Sequence, residues 1–252
     1  MNKIAFITGA TSGIGKASAH IFAKNKYNII ITGRRKDRLE EIAHHLSDKY
    51  NVKVLSLNFD VRNREDVETA VNSLSDSWKR IDVLLNNAGL AVGLTNLQDG
   101  VYDDWDRMID TNIKGLLNVT RNIAPLMIAN GKGHIINIGS IAGKETYPFG
   151  NVYCGTKHAV DSLTKAMRID MLSEGIKVSQ VAPGAVETEF SNVRFKGDDA
   201  KADSIYAGFE PLRPEDIADA VYYCASLPAH VNINDMLIMP TAQANATTII
   251  RK

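Results

Sequence analysis

The sequence predicts an α/β fold: one doubly wound parallel sheet of about seven strands, flanked by helices. Short apolar, β-rich runs alternate with longer segments of helical period from the first residues to about residue 190, the pattern of repeated βαβ units. Runs such as Ile29-Ile30-Ile31 and Val83-Leu84-Leu85 are apolar without a break, which suits strands covered on both faces. A glycine-rich turn, Thr8-Gly9-Ala10-Thr11-Ser12-Gly13-Ile14-Gly15, falls between the first strand and the first helix.

Taken in order, the first strand (4–8) runs into that turn and an amphipathic helix (14–25). The second (28–32) ends in Thr32-Gly33 ahead of a helix at 36–49, and the third (53–58) is closed by Asp60 ahead of a helix at 64–77. The fourth (83–86) ends in Asn86 and precedes a long helical stretch, 102–130, with a break expected near Asn112. The fifth (134–139) leads to Ser140 and a helix at 153–174; the sixth (177–181) leads to Pro183-Gly184; a helix at 214–226 and a seventh strand at 236–239 complete the set. No repeat, low-complexity tract or linker interrupts the order, so residues 1–252 are expected to form one domain. The irregular stretch 184–213, with three glycines, Pro211 and a charged centre, is expected to be a mobile substrate lid.

Composition removes several function classes. Lys+Arg and Asp+Glu are 29 each, and this balance argues against nucleic acid as a partner, because nonspecific phosphate binding needs a basic excess. The longest apolar run, 220–225, is far short of the roughly 20 residues a membrane-spanning helix needs. The first residues lack the pattern of a secretory signal, and a cytoplasmic location is expected. Cys154 and Cys224 lie too far apart for a local zinc site, the histidines show no ligand spacing, and no metal is expected.

The glycine turn suits a pyrophosphate, which a helix N-terminus attracts through its free N–H groups and dipole. The second strand ends in Thr32-Gly33-Arg34-Arg35, and no acid occupies this turn. A ribose 2′-hydroxyl usually meets Asp or Glu there, whereas a 2′-phosphate needs cations, so the arginine pair points to NADP(H). Asp60 is either an acceptor for the adenine amino group or a turn aspartate.

Tyr153 and Lys157 lie four residues apart and so share one helix face. An isolated phenol titrates near 10. An ammonium about 4 Å away contributes roughly 4 kcal/mol at an effective dielectric near 20, or about three pKa units, which would make the tyrosine a workable acid/base. Ser140 ends the fifth strand at the carboxyl edge where open α/β sheets bind ligands. Asn112, inside a helical segment, is placed to open the backbone, hold water and link Lys157 to solvent. Cys154, beside Tyr153, reads as a packing residue, since adjacent helical residues diverge by about 100°.

The ordered set of the Thr8–Gly15 turn, Asn86-Asn87-Ala88-Gly89, Asn112, Ser140, Tyr153/Lys157 and Pro183-Gly184 resembles the short-chain dehydrogenase/reductase family over nearly the whole chain. The resemblance implies a single Rossmann-type domain, usually a homotetramer, that moves a hydride between a nicotinamide and a carbonyl/alcohol pair. It implies Tyr153 as acid/base, Ser140 orienting the carbonyl, Lys157 on the nicotinamide ribose and lowering the tyrosine pKa, and Asn112 supporting a proton relay. The expected cofactor-binding set is Gly9, Thr11, Ser12, Gly13, Ile14, Gly15, Arg34, Arg35, Asp60, Val61, Asn87, Ala88, Gly89, Tyr153, Lys157, Pro183, Gly184, Val186 and Thr188. The expected substrate set is Ser140, Tyr153 and Arg194.

Residues 109–112, 150–153, 188–198 and 227–234 resemble, within that family, the NADP-dependent 3-hydroxy acid dehydrogenases. That subgroup acts on serine, allo-threonine and related β-hydroxy acids and reduces malonic semialdehyde. Such substrates require a cation for the carboxylate, and Arg194 and Lys196 are the two available, Arg194 being better suited to a bidentate clamp. Two alternatives share parts of this pattern: a short-chain reductase of an uncharged or acyl ketone, and a non-catalytic NADPH sensor. The segment 240–252 reads as either a tail or a subunit contact.

Overall fold

The computed structural model describes residues 2–252. Seven parallel strands form one sheet in the order β3-β2-β1-β4-β5-β6-β7. They are β1 (Ile4–Ile7), β2 (Asn28–Gly33), β3 (Val54–Asn58), β4 (Val83–Asn86), β5 (Gly133–Ile138), β6 (Ile176–Pro183) and β7 (Asp235–Ile238). The strand order reverses between β1 and β4, and this places the binding crevice beyond their carboxyl ends.

The unbroken apolar runs follow from cover on both faces. Ala5, Ile7, Ile29 and Ile31 pack into one core with α1 (Gly13–Lys24), α2 (Lys36–Tyr50) and α9 (Pro214–Ser226). Ile4, Phe6 and Ile30 point the other way, into a second core with α3 (Arg64–Asn72), α5 (Leu116–Ala129) and α6 (Asn151–Asp170). Successive residues of one strand therefore feed opposite cores, and the polar strand residues that are buried, such as Asn86 and Asn137, are hydrogen-bonded to each other and to helix hydroxyls.

Local chemistry sets the helix ends. Asn63 caps α3 by accepting the Glu65 and Asp66 N–H groups. At α9, Pro214 supplies the first turn and the Asp216 carboxylate accepts the Arg213 N–H at 2.7 Å. Several expected spans differ; the helix expected over 153–174 is α6, Asn151–Asp170, and the strand expected over 177–181 is β6, Ile176–Pro183. The helix expected to reach residue 77 stops at Asn72, because Ser73 turns its hydroxyl onto the Ala70 carbonyl, closing a side-chain bond where the helix would continue. The 102–130 stretch is α4 (Tyr102–Ile109), a π-helical segment (Asp110–Gly115) and α5; the expected interruption at Asn112 is thus an inserted wide turn rather than a break. Two short helices, α7 (Phe190–Arg194) and α8 (Asp199–Ser204), occupy part of the irregular 184–213 stretch.

At the opposite end of the sheet from the crevice, His134 is buried, with Nε2 2.7 Å from the Ser179 hydroxyl and Nδ1 without a protein partner. Burial, reinforced by the charge on Lys177, pushes its pKa down to about 3. The unfolded chain thus binds a proton that the folded chain refuses as pH falls from 6.5 toward 3, so stability is lost over that window. The expected contribution is about 2 kcal/mol between pH 6.5 and about pH 5. Urea midpoints of the wild type and His134→Gln across this range check it, and equal slopes would contradict it.

Candidate active site

The Gly9 turn and the β4 end are joined at the switch point. The Thr8 hydroxyl accepts the Asn87 and Ala88 N–H groups, each at 2.9 Å, and the Asn87 amide donates to the Thr8 carbonyl at 2.8 Å. Gly9 adopts φ +65°, and a Cβ there would lie 2.9 Å from the Ala88 Cα. Only glycine allows this approach. The turn delivers Gly13 to the first position of α1, whose N-cap Ser12 makes no side-chain cap; the first N–H groups of a twelve-residue helix face the cleft.

A cleft of about 570 Å³ runs from this turn to the end of β6. Of the expected residues, Gly9, Thr11, Ser12, Gly13, Ile14, Arg34, Arg35, Asp60, Val61, Asn87, Ala88, Gly89, Ser140, Tyr153, Lys157, Pro183, Gly184, Val186, Thr188 and Arg194 all line it. Gly15 and Asn112 do not. Gly15 serves packing instead: a Cβ on it would come within 2.4 Å of the Gly9 carbonyl oxygen. Asn112 stands behind the wall, pairing its amide with both backbone groups of Leu90 at 2.8 Å and donating to the Thr156 hydroxyl at 3.0 Å. Thr156 in turn donates to the Tyr153 carbonyl. Asn112 thus fixes the α6 turn that carries the tyrosine, and both of its amide hydrogens are engaged in doing so.

The arginines lie at the other mouth of the cleft. Arg35 donates to the Thr11 and Ser12 hydroxyls at 2.8 and 2.9 Å and pairs with Glu189 at 2.8 Å. Arg38 joins the same carboxylate at 2.8 Å. Arg34 is exposed and 4.0 Å from Asp60. Asp60 accepts the Arg62 N–H at 3.0 Å and its guanidinium at 2.7 Å; burial works against its charge, but the Arg62 bonds prevail and hold its carboxyl below the usual range. Asp60 thus braces its own turn through Arg62 and also lines the cleft. The cleft fits a dinucleotide: an uncapped helix N-terminus for the pyrophosphate, a cationic pair beyond it, and a buried lysine further in.

Tyr153 and Lys157 are both buried on α6. Lys157 Nζ donates to the Ile138 carbonyl at 2.9 Å, and burial pushes its pKa down to about 8. Ser140, extended at the end of β5, accepts the Ala142 N–H at 3.1 Å and lines the cleft together with Tyr153. The expected lowering of the tyrosine by Lys157 does not prevail in the cleft. Burial pushes the phenol up, and the Ser140 hydroxyl and the Arg194 charge only partly offset it. The lysine is turned onto a strand carbonyl, and desolvation of a fully enclosed phenol outweighs the nearby charges.

Arg194 and Lys196 separate cleanly. Lys196 pairs with the buried Asp104 at 2.8 Å, away from the cleft. Arg194 lines the cleft, donates to the Tyr147 hydroxyl at 3.0 Å, and holds its guanidinium carbon 5.8 Å from the Tyr153 ring centre. Its Nε is buried with no protein partner. Tyr147, Gln243 and the 240–252 segment were not singled out as site residues, yet Tyr147, Gln243, Ala246, Ile249 and Arg251 line the same cleft. Cys154 is fully buried in a small apolar cluster with Leu90 and Met108, the packing role expected. Among the described residues no cluster of three metal-ligand side chains occurs, and no helix is long and apolar enough to cross a membrane.

A fold of this topology with Ser140, Tyr153 and Lys157 at the carboxyl edge defines a nucleotide-linked oxidoreductase. The chain belongs to the short-chain dehydrogenase family, whose sequence profile, described as short chain dehydrogenase, matches residues 3–199. It is 47% identical over 244 residues to the NADP-dependent 3-hydroxy acid dehydrogenase YdfG of Salmonella typhi, covering 96% of this chain and 97% of the relative. It is 45% identical over 245 residues to sulfoacetaldehyde reductase 2 of Chromohalobacter salexigens, covering 97% and 96%. Among solved structures, a serine dehydrogenase in its closed form, complexed with NADP+, superposes with a TM-score of 0.92 at 44% identity, covering 99% of each chain. The fold and enzyme class expected from the sequence are therefore established, and related proteins use the cofactor that the arginine pair suggested.

Charge-assisted bonds of the kind Arg35 can offer a 2′-phosphate are worth about 1.5–3 kcal/mol. Arg35→Ala is expected to raise KM for NADP by roughly 10–100-fold and to leave KM for NAD nearly unchanged. Steady-state titration of both nucleotides checks this; a parallel rise in both would contradict it.

Proposed function

We propose that this chain is an NADP-dependent dehydrogenase of small 3-hydroxy acids, working on pairs such as serine, allo-threonine and 3-hydroxypropionate with their 3-oxo counterparts. The observation that carries this reading is Arg194: a guanidinium over the Tyr153 ring, with one N–H in the cleft wall still without a partner. A half-buried cation so placed, lining the same cleft as Tyr153 and Ser140, suits an anion on the substrate.

In oxidation, the Ser140 hydroxyl donates to the substrate oxygen and Tyr153 takes its proton. Bound NADP supplies the hydride acceptor. Lys157 binds the nicotinamide ribose and restores the tyrosine's acidity, while Asn112 holds the α6 turn in register. The cofactor set is the one lining the cleft, with Gly15 as a packing contact behind it. The 184–213 segment acts as the lid that carries Arg194 over the substrate. Residues 1–252 work as one domain, assembled as a homotetramer in the cytoplasm as is usual for the family.

A second reading keeps the same geometry. Sulfoacetaldehyde, the substrate in the name of one relative, carries its sulfonate one carbon from the carbonyl, as malonic semialdehyde carries its carboxylate. Arg194 suits either oxyanion. Initial rates of NADPH formation with L-serine, L-allo-threonine, 3-hydroxypropionate and hydroxyethylsulfonate, with 2-propanol as uncharged control and NAD repeated throughout, separate the readings. Turnover of the carboxylates with NADP supports the first, dominance of hydroxyethylsulfonate the second. Turnover of 2-propanol alone would remove both.

A further inference from the structure

The 240–252 segment, which carries no obvious pattern in the sequence, folds back across the cleft. It turns on itself through a bridge between Gln243 and Ile249. From there it touches three walls. Gln243 is buried and accepts the Ala185 N–H at 2.9 Å, beside Gly184, where a Cβ would lie 2.6 Å from the glutamine oxygen. The Ala246 N–H donates to Glu145, on the turn that follows Ser140, at 2.9 Å. Arg251 donates to the Ala207 carbonyl and, at 3.0 Å, to the Ile205 carbonyl. Its guanidinium lies 5.2 Å from the Phe209 ring centre.

The two carbonyls held by Arg251 flank Tyr206. The Tyr206 hydroxyl is 2.6 Å from Ser191 on α7 and donates to the Val186 carbonyl at 2.8 Å. The last residue of α7 is Arg194. Arg251 thus pins the backbone on either side of Tyr206, and the Tyr206 side chain bonds Ser191 on the helix that ends in Arg194. Gly208, at φ +80°, lets the backbone close against Arg251, its notional Cβ being 3.0 Å from the arginine Cβ. An arginine spent on two backbone carbonyls fixes the path of that backbone, because its forked donors require both acceptors in one plane.

We propose that residues 240–252 are a strap that completes the substrate enclosure, and that Arg251 is a positioning residue which holds the lid, through Tyr206, in the conformation that aims Arg194 at the substrate. The inference rests on the reading of Arg194 as the anion-binding residue. Its effect belongs on substrate binding: loss of Arg251 lets the lid open, so that part of the substrate's binding energy goes into closing it.

The test compares wild type, Arg251→Met, Arg251→Lys and a chain shortened by residues 249–252. Each is assayed by steady-state kinetics, NADPH titration, thermal melting, and the rate of tryptic cleavage after Lys196 and Lys201. Arg251→Met is expected to raise KM for 3-hydroxypropionate about tenfold with kcat reduced far less, and to speed cleavage at the lid several-fold. The NADPH Kd and the melting temperature should stay near wild type. Arg251→Lys should recover part of the loss, and the shortened chain should match or exceed it. Unchanged cleavage and KM in Arg251→Met would overturn the proposal, as would a lowered melting temperature with equal losses in NADPH and substrate binding. The cleavage rate needs no substrate. Faster lid cleavage in an enzyme that shows no preference for anions would leave the strap standing and refute only the anion reading.

Discussion

Tyr153→Phe is expected to lower kcat about a thousandfold in both directions while leaving NADPH binding within a few-fold of wild type. The substitution removes one oxygen from a side chain that is otherwise held by packing, with its ring edge-on to Phe190 at 5.7 Å. Its backbone is braced through Thr156 and Asn112. Geometry should therefore survive and only proton transfer be lost. The direction of the phenol's shift adds a pH signature. Burial holds the hydroxyl protonated at neutral pH, the form that donates to a carbonyl, so reduction proceeds there, while oxidation needs the deprotonated form and should accelerate as pH rises above neutrality. Steady-state rates with pH profiles in both directions check this. A Phe variant that keeps a tenth of wild-type kcat would show that the proton comes from elsewhere.

Arg194→Met is expected to raise KM for 3-hydroxypropionate by roughly 10–100-fold, the value of a charge-assisted bond in a dry site, and to change kcat/KM for an uncharged alcohol by less than about threefold. Methionine retains much of the apolar stem and removes only the charge and its donors, so packing against Tyr147 and Tyr153 is largely kept. Lys196→Met serves as the control. Its ammonium is bound to Asp104, so its loss should cost stability and leave anion selectivity intact. Equal effects of Arg194→Met on charged and uncharged substrates would refute the carboxylate clamp.

Most of the architecture was legible because it depends on local pattern. Apolar runs such as Ile29-Ile30-Ile31 can be satisfied only between two cores, and the structure divides them between the two. The positions proposed as catalytic were legible for a related reason: Ser140 follows a strand end and Tyr153 and Lys157 share one helical turn, so sequence spacing fixes their placement. What escaped depends on contacts between distant segments. No local spacing pairs Arg251 with Ile205, or Tyr147 with Arg194. Nor could spacing separate Arg194 from Lys196, two residues apart; the choice falls to Asp104, ninety positions earlier. The tyrosine pKa was argued from one charge, and the structure supplies the desolvation that the sequence does not display.

The central claim is that this cleft selects a hydroxyl compound by its anionic end and oxidises it with NADP. The most direct measurement is the wild-type ratio of kcat/KM for 3-hydroxypropionate to that for 1-propanol with NADP, two alcohols of equal chain length that differ in the carboxylate. A ratio of at least about 100 is expected, the worth of one well-made charged contact. A ratio near one would mean that Arg194 binds no substrate anion and that the enzyme belongs with reductases of uncharged carbonyls.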